Sequence, residues 1–102
     1  MAELRLPRLV GARDTVVKLF RDAELTGRIV GDLTVFADDL ATGSGSAADE
    51  LIQQGLTERG AQRLVIVGAP SRFQQRLASA AALRGVADRI VFHHAVRVRS
   101  RL

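Results

Sequence analysis

LTVFADDLATGSGSAADELIQQGL, residues 33–56, is the stretch that decides the fold of this chain. Its first residues, Leu33 to Ala37, are almost uniformly apolar and β-prone, which is typical of a strand covered on both faces. Asp38 and Asp39 end that strand, and residues 40–45 read as a loop whose glycines give the backbone freedom. A loop of small residues at the carboxyl end of a strand often serves a partner or a ligand.

A helix is predicted after this loop. Its apolar residues recur at helical spacing and line one face: Ala48, Leu51, Ile52, Gly55 and Leu56. Ser46 and Asp49 fit a capping box, in which the Ser46 hydroxyl accepts from an early helical amide and the Asp49 carboxylate accepts from the Ser46 amide. That carboxylate also favours the positive end of the helix. Gly60 is the predicted stop.

One strand and one helix are predicted before this stretch. Residues 3–10, ELRLPRLV, alternate apolar and polar side chains, but Pro7 lacks an amide hydrogen and confines the strand to an edge or ends it. Residues 12–25 carry their apolar side chains on one helical face: Val16, Val17, Phe20 and Ala23. Gly27 is the natural stop, because glycine tolerates the left-handed conformation that closes a helix.

A strand, a helix and a last strand are predicted after it. RLVIVGA, residues 63–69, is the clearest buried strand, and Ser71 with Gln74 forms a second capping box for a helix that Gly85 ends. RIVFH, residues 89–93, reads as a last short strand. Residues 95–102 alternate valine with arginine, so they either extend an edge strand or fray as a basic tail.

The order of elements is therefore β-α-β-α-β-α-β. Buried strands that alternate with amphipathic helices are typical of a parallel sheet with right-handed crossovers. We predict a single α/β domain over residues 1–102, with a small, mostly parallel sheet. A chain of 102 residues is large enough to hold such a core without disulfides or metals.

The composition of the chain excludes several classes of protein. There is no cysteine, which excludes a disulfide framework and a thiolate metal site. The formal charge is +4, but arginines are scattered along the chain and few aromatic residues accompany them, so we do not expect a nucleic-acid partner. The first residues lack the pattern of a signal peptide, and no apolar run is long enough for a membrane helix. We expect a cytoplasmic protein.

Four motifs are candidates for a functional site. Gly43-x-Gly45-x-x-Ala48 has the form of a dinucleotide-binding fingerprint, yet five residues separate it from the strand, and no acid ends the next strand. Asp38 and Asp39 resemble part of a phospho-receiver pocket. Such a pocket needs a lysine after a later strand, and the single lysine lies in the first helix.

Two further motifs lie later in the chain. His93-His94 has no predicted third ligand, and Ser71-Arg72 at a helix start could bind an anion. We predict no cofactor, no metal and no catalytic residue.

Two stretches of the chain resemble the STAS-like family of small bacterial domains, which is related to the STAS domains of anti-sigma factor antagonists. The first is residues 33–51, where a strand and a serine-containing loop lead into SAADEL. The second is RLVIVGAPSRFQQRLASAAALRGVADRIVF, which follows the STAS order of strand, helix and a Leu-x-Gly-Val turn into the last strand. The resemblance implies a regulatory, non-enzymatic domain of bacterial signalling.

The resemblance also implies a surface and a kind of partner. The antagonists' Asp-Ser-Ser-Gly loop falls on Ser44, Gly45, Ser46 and Ala47, so the usual phosphoacceptor position is Gly45 and the preceding acid is Ser44. Ser44 or Ser46 would then be the phosphorylation site. The implied partner is a kinase-like ATPase or an anti-sigma-like switch protein. It would bind a surface made of Asp38, Asp39, Thr42, Gly43, Ser44, Gly45, Ser46, Asp49 and Glu50.

Two other functions stay open at this point. The same helix start could bind a nucleotide or another small anion. Alternatively, the chain could be a structural subunit that forms a homo-oligomer through its first or last strand.

Overall fold

The computed structural model describes residues 2–94, and the predictions for residues 95–102 lie outside them. Strands and helices follow one another along the chain with these bounds: β1 Ala2–Arg5, β2 Leu9–Val10, α1 Arg13–Asp22, β3 Leu33–Phe36, β4 Thr42–Gly43, α2 Gly45–Ile52, a π-helical segment Gln53–Glu58, β5 Leu64–Val67, α3 Ser71–Leu83, a 3-10 turn Ala87–Arg89 and β6 Ile90–His93. Helices α1, α2 and α3 each connect two strands of the main sheet. The predicted α/β alternation is confirmed.

The main sheet has four parallel strands in the order β1-β3-β5-β6. Each neighbour in the sheet is the next main strand in sequence. Crossovers between parallel strands are right-handed as a rule, and three successive crossovers of one hand put all three helices in one layer on one face. Within that layer α2 lies between α1 and α3 and packs against both. Pro7 follows β1, which is an edge strand, as predicted.

The core lies between this helical layer and the sheet. Alternate residues of the two central strands, Leu33, Val35, Leu64 and Ile66, are fully buried there. The intervening residues, Thr34, Phe36, Val65 and Val67, are partly exposed on the other face. The prediction that the 33–37 strand is covered on both faces is therefore wrong for the described residues, because consecutive right-handed crossovers leave one face without helices.

A second, two-stranded parallel sheet interrupts the predicted 40–45 loop. In it β2 pairs with β4, and Leu9 lies opposite Thr42 and Val10 opposite Gly43. The Ala41 amide donates to the Arg8 carbonyl at 2.8 Å and the Ser44 amide to the Val10 carbonyl at 3.0 Å. Leu40 is also buried. The segment before α2 is thus held by backbone hydrogen bonds and by the core.

The predicted end of α1 and the predicted cap of α3 are wrong. Helix α1 ends at Asp22, and Glu24, with a φ of 61°, takes the left-handed position that was assigned to Gly27. The Leu25 amide then donates to the Phe20 carbonyl, which completes a Schellman motif. Helix α3 has no side-chain cap, and the Gln74 amide group donates instead to the Ala69 carbonyl.

The other predicted stops are correct. Gly85 has a φ of 73°, and the Val86 amide donates to the Ala81 carbonyl in a second Schellman motif. Gly60, with a φ of 71°, follows the π-helical segment that continues α2. No helix in the described part of the chain is long and apolar enough to cross a membrane.

Candidate functional site

The start of α2 is capped by Ser44, and the prediction that Ser46 caps it is wrong. Ser44 has an extended backbone (φ −78°, ψ 164°), and its Oγ accepts from the Ala47 amide at 3.0 Å. The hydroxyl thereby satisfies one of the amides that a helix start leaves unpaired. Because the helix begins at Gly45, Ser46 lies in its first turn with an exposed side chain.

Gly43 lies under helix α3 and is buried. A Cβ on Gly43 would come within 2.5 Å of the Phe73 ring, so only glycine allows β4 and α3 this approach. The guanidinium of Arg76 donates to the Gly43 carbonyl at 3.2 Å. Gly43, which was predicted to contact a partner, therefore holds the helix start against the core, while Thr42 beside it is exposed.

Asp49 connects the three helices. Its carboxylate accepts two hydrogen bonds from Arg84, at 2.7 and 2.8 Å, and a third from Arg13 at 2.8 Å. Because Arg84 above all, and also Arg13, stabilise the charged form, the pKa of Asp49 falls from 3.8 to about 2 despite partial burial. The predicted bond from the Ser46 amide to Asp49 is wrong, because Ser44 and not Ser46 is the cap, and the Asp49 carboxylate bonds to Arg84 and Arg13 instead.

Glu50 belongs to the same cluster. Its carboxylate accepts from Arg13 at 3.2 Å and from the Gln54 side chain at 2.7 Å. The hydrogen bonds to Asp49 and Glu50 raise the pKa of Arg13.

The two acids after β3 lie in a different cluster. Arg5 approaches Asp38 at 3.4 Å and Asp39 at 3.9 Å, and its guanidinium lies over the Phe36 ring, 5.0 Å from the centroid. These contacts join the ends of β1 and β3. Asp38 and Asp39 therefore do not share the arginines of Asp49, although the sequence predicted one common surface.

A groove of about 680 Å³ opens beside the start of α2, between α2 and α3. Its lining consists of Arg13, Gly45, Asp49, Arg72, Gln75, Arg76, Ser79, Ala80 and Leu83. A smaller groove of about 220 Å³ continues toward the carboxyl end of the sheet, and Arg72 and Arg76 line both. Helix α3 thus supplies one wall of the whole site.

The charge of the larger groove is positive. Three arginines and one aspartate line it, so the lining has a formal charge of +2. Asp49 is already bonded to Arg13 and Arg84, whereas Arg72 and Arg76 form no ion pair within residues 2–94. The site as built favours anionic groups.

Sequence reasoning found Arg72 but missed Arg76, Ser79 and Leu83. The signal was their spacing: positions 72, 76, 79 and 83 recur at intervals of three or four and, with position 75, share one face of a helix. That face is largely polar, and apolar periodicity identifies only the buried face of a helix, so it does not select these residues.

The remaining candidates stay apart from this groove. His93 and His94 are exposed at the end of β6. Within residues 2–94 no group of three or more histidine or acidic side chains is placed to hold a metal ion.

No family model, curated protein or solved structure matches this chain. The resemblance to the STAS-like family accordingly stays a prediction that rests on the residues quoted for it.

Proposed function

We propose that this chain is a non-enzymatic regulatory module that binds a protein partner through the start of α2 and the adjoining α2–α3 groove. The observation that carries the proposal is that the helix start is exposed at Gly45 and Ser46, and that Gly45 lines a groove of about 680 Å³. The proposed surface is centred on the start of α2 and includes the wall that α3 contributes to the groove.

Three features suit this place for a partner. Gly45 carries no side chain, and nothing lies within 4 Å of where its Cβ would be, so another chain can approach the backbone closely. The first amides of a helix carry partial positive charge and lack intrahelical partners. The cap and β4 hold this segment in place, so binding would cost little ordering entropy.

The proposal includes the partner that the STAS-like resemblance implies, a kinase-like ATPase or an anti-sigma-like switch protein in the bacterial cytoplasm. Ser46 is the better candidate for phosphorylation. Its side chain is exposed, whereas the Ser44 hydroxyl is hydrogen-bonded in the cap. A phosphate on Ser46 would add roughly two negative charges beside the groove and change which partner surface it attracts.

Substitution of Gly45 tests the proposal. The partner would be captured from the native host by cross-linking and identified by mass spectrometry. Gly45→Tyr would fill the approach to the groove, and we expect it to abolish capture.

Gly45→Ala is the control for the backbone, because the small methyl group has space and helix propensity improves. Gly27→Tyr is the control for bulk, since Gly27 also has nothing within 4 Å of its Cβ position. Both controls should retain capture. Capture by Gly45→Tyr equal to that by Gly45→Ala would overturn the proposal.

A second function is favoured by a specific observation: Arg72 and Arg76 line the same groove as Gly45, so a small phosphorylated ligand would meet two guanidinium groups beside the helix start. Thermal unfolding with ATP, GTP, NAD or inorganic phosphate distinguishes this function. A ligand of the folded state raises the melting temperature with concentration, and Arg72→Glu would remove that rise.

A further inference from the structure

We infer that the α2–α3 groove binds an acidic polypeptide segment, whose carboxylates meet Arg72 and Arg76 and whose apolar side chain, further along the segment, meets Leu83. This inference rests on the proposed function and names the chemistry of the partner.

The cationic end of the groove lacks internal compensation. Asp49 is the one carboxylate in the lining, and its oxygens are 2.7–2.8 Å from nitrogens of Arg84 and Arg13. Arg76 makes a hydrogen bond to a carbonyl, and neither Arg72 nor Arg76 pairs with a carboxylate in the part of the chain that the structure describes. A ligand with carboxylates would form ion pairs with these two guanidinium groups, whereas a basic ligand would be repelled.

The other end of the groove is apolar. Leu83 lies at the end of α3 with 90% of its surface exposed, and buried Ala80 lies one turn before it. The middle of the α3 wall is neutral and polar, formed by Gln75 and Ser79. Leu83 therefore offers apolar surface at the edge of the groove, against which an apolar side chain of the ligand can pack and lose its contact with water.

The distance between the two ends sets the length of the ligand. Arg72 and Leu83 are eleven residues apart on α3, which corresponds to about 16 Å along the helix axis. An extended chain covers this distance in about five residues. A phosphate ion or a nucleotide phosphate can contact the arginines but carries no aliphatic group to place at Leu83, so the mixed chemistry favours a polypeptide.

Selection from a library of displayed random 12-residue peptides tests the inference. We expect the protein to enrich peptides in which aspartate or glutamate precedes or follows an aliphatic or aromatic residue by about five positions. An enriched peptide, labelled with fluorescein, is then titrated by fluorescence anisotropy.

Charge reversals inside and outside the groove distinguish binding in the groove from a general effect of net charge. We expect Arg72→Glu with Arg76→Glu to weaken binding at least about tenfold, and Leu83→Ser to weaken it by several-fold. Arg21→Glu with Arg28→Glu makes the same change in net charge at exposed positions outside the groove lining and should alter affinity by less than about twofold.

Each outcome decides the inference. Enrichment without acidic residues overturns it, and so does equal weakening by the two double variants. If Gly45→Tyr abolishes capture of the native partner while the charge reversal at Arg72 and Arg76 does not weaken it, the proposed function stands and the acidic ligand is wrong. If charge reversal weakens an acidic peptide but Gly45→Tyr leaves native capture intact, the groove binds acidic segments and the proposed function fails.

Discussion

Gly43 illustrates how a single residue positions the candidate site. It pairs with Val10 in the small sheet, it lies under the Phe73 ring, and its carbonyl accepts from Arg76. The backbone that leads into α2 is therefore fixed from three directions. Any side chain at position 43 would separate β4 from α3 and disturb the groove wall that contains Arg76.

Replacement of Gly43 by alanine should destabilise the protein. The added methyl group would lie 2.5 Å from two Phe73 ring carbons and 3.3 Å from a Leu40 methyl group, and overpacking of this kind costs about 1–3 kcal/mol. Urea unfolding followed by circular dichroism measures the change. Gly11→Ala, where nothing lies within 4 Å, is the matched control and should change stability little.

A double-mutant cycle assigns the cause of that loss. In a Phe73→Leu background the ring is absent, so Gly43→Ala should cost less than it does in the parent protein. An equal cost in both backgrounds would show that the backbone of Gly43, and not its contact with Phe73, requires glycine.

At the scale of elements, the sheet has two unequal faces. Helices cover the face of Val35 and Ile66, and the face of Val65 and Phe36 is partly exposed in the described residues. Parallel sheets usually carry helices on both faces. Here the strand order follows the chain order, so successive crossovers of one hand fill one layer.

Valine-to-alanine substitutions on the two faces of the sheet measure this difference in burial. Val35→Ala removes two buried methyl groups against the helices and leaves a cavity, so we expect a loss of about 2–3 kcal/mol. Val65→Ala on the neighbouring strand removes partly exposed methyl groups and should cost about 1 kcal/mol or less. Similar losses at both positions, measured by urea unfolding, would mean that both faces are covered in solution.

At the scale of the whole molecule, Asp49 is the charge that joins the helical layer. Arg13 belongs to α1 and Arg84 follows α3, so one carboxylate on α2 contacts a cation at the end of each neighbour. The groove depends on the spacing of α2 and α3, which this cluster helps to hold. Loss of the ion pairs around Asp49 should therefore lower the free energy of unfolding of the entire domain.

Acid titration of stability tests the role of Asp49. Its pKa is lowered from 3.8 in the unfolded chain to about 2, so its contribution is complete above pH 5 and is lost as the pH falls from about 4 through 2. The shift corresponds to about 1–2 kcal/mol, because the arginines are partly exposed to solvent. Asp49→Asn should remove that amount at pH 7 and flatten the pH dependence between 4 and 2, as followed by unfolding at a series of pH values. Retention of the full acid slope in Asp49→Asn would assign it to other carboxylates.

Local sequence patterns predicted most elements and the stops at Gly60 and Gly85, but not the end of α1 or the caps of α2 and α3. Glycine was expected to stop α1, yet Glu24 adopts the left-handed conformation because the Leu25 amide can reach the Phe20 carbonyl only if the chain turns there. Likewise, serine is a favourable N-cap residue, so residue type alone does not distinguish Ser44 from Ser46. The pairing of β2 with β4 places Ser44 at the boundary, because the Ser44 amide still donates to the Val10 carbonyl and its backbone is extended, whereas the helix begins at Gly45.

The sequence by itself determined the α/β class, the parallel central strands and the exposed start of α2, because hydrophobic periodicity and chain punctuation are local and act before distant contacts form. Only the tertiary structure decided that Asp49 bonds to Arg13 and Arg84, that Gly43 is buried under Phe73, and that α3 supplies the second wall of the groove. The contacts of Asp49 with Arg13 and Arg84 join residues 36 and 35 positions apart, and no local pattern encodes which face of α3 meets α2. That choice follows from the crossover geometry, which places all three helices in one layer and brings their polar edges together.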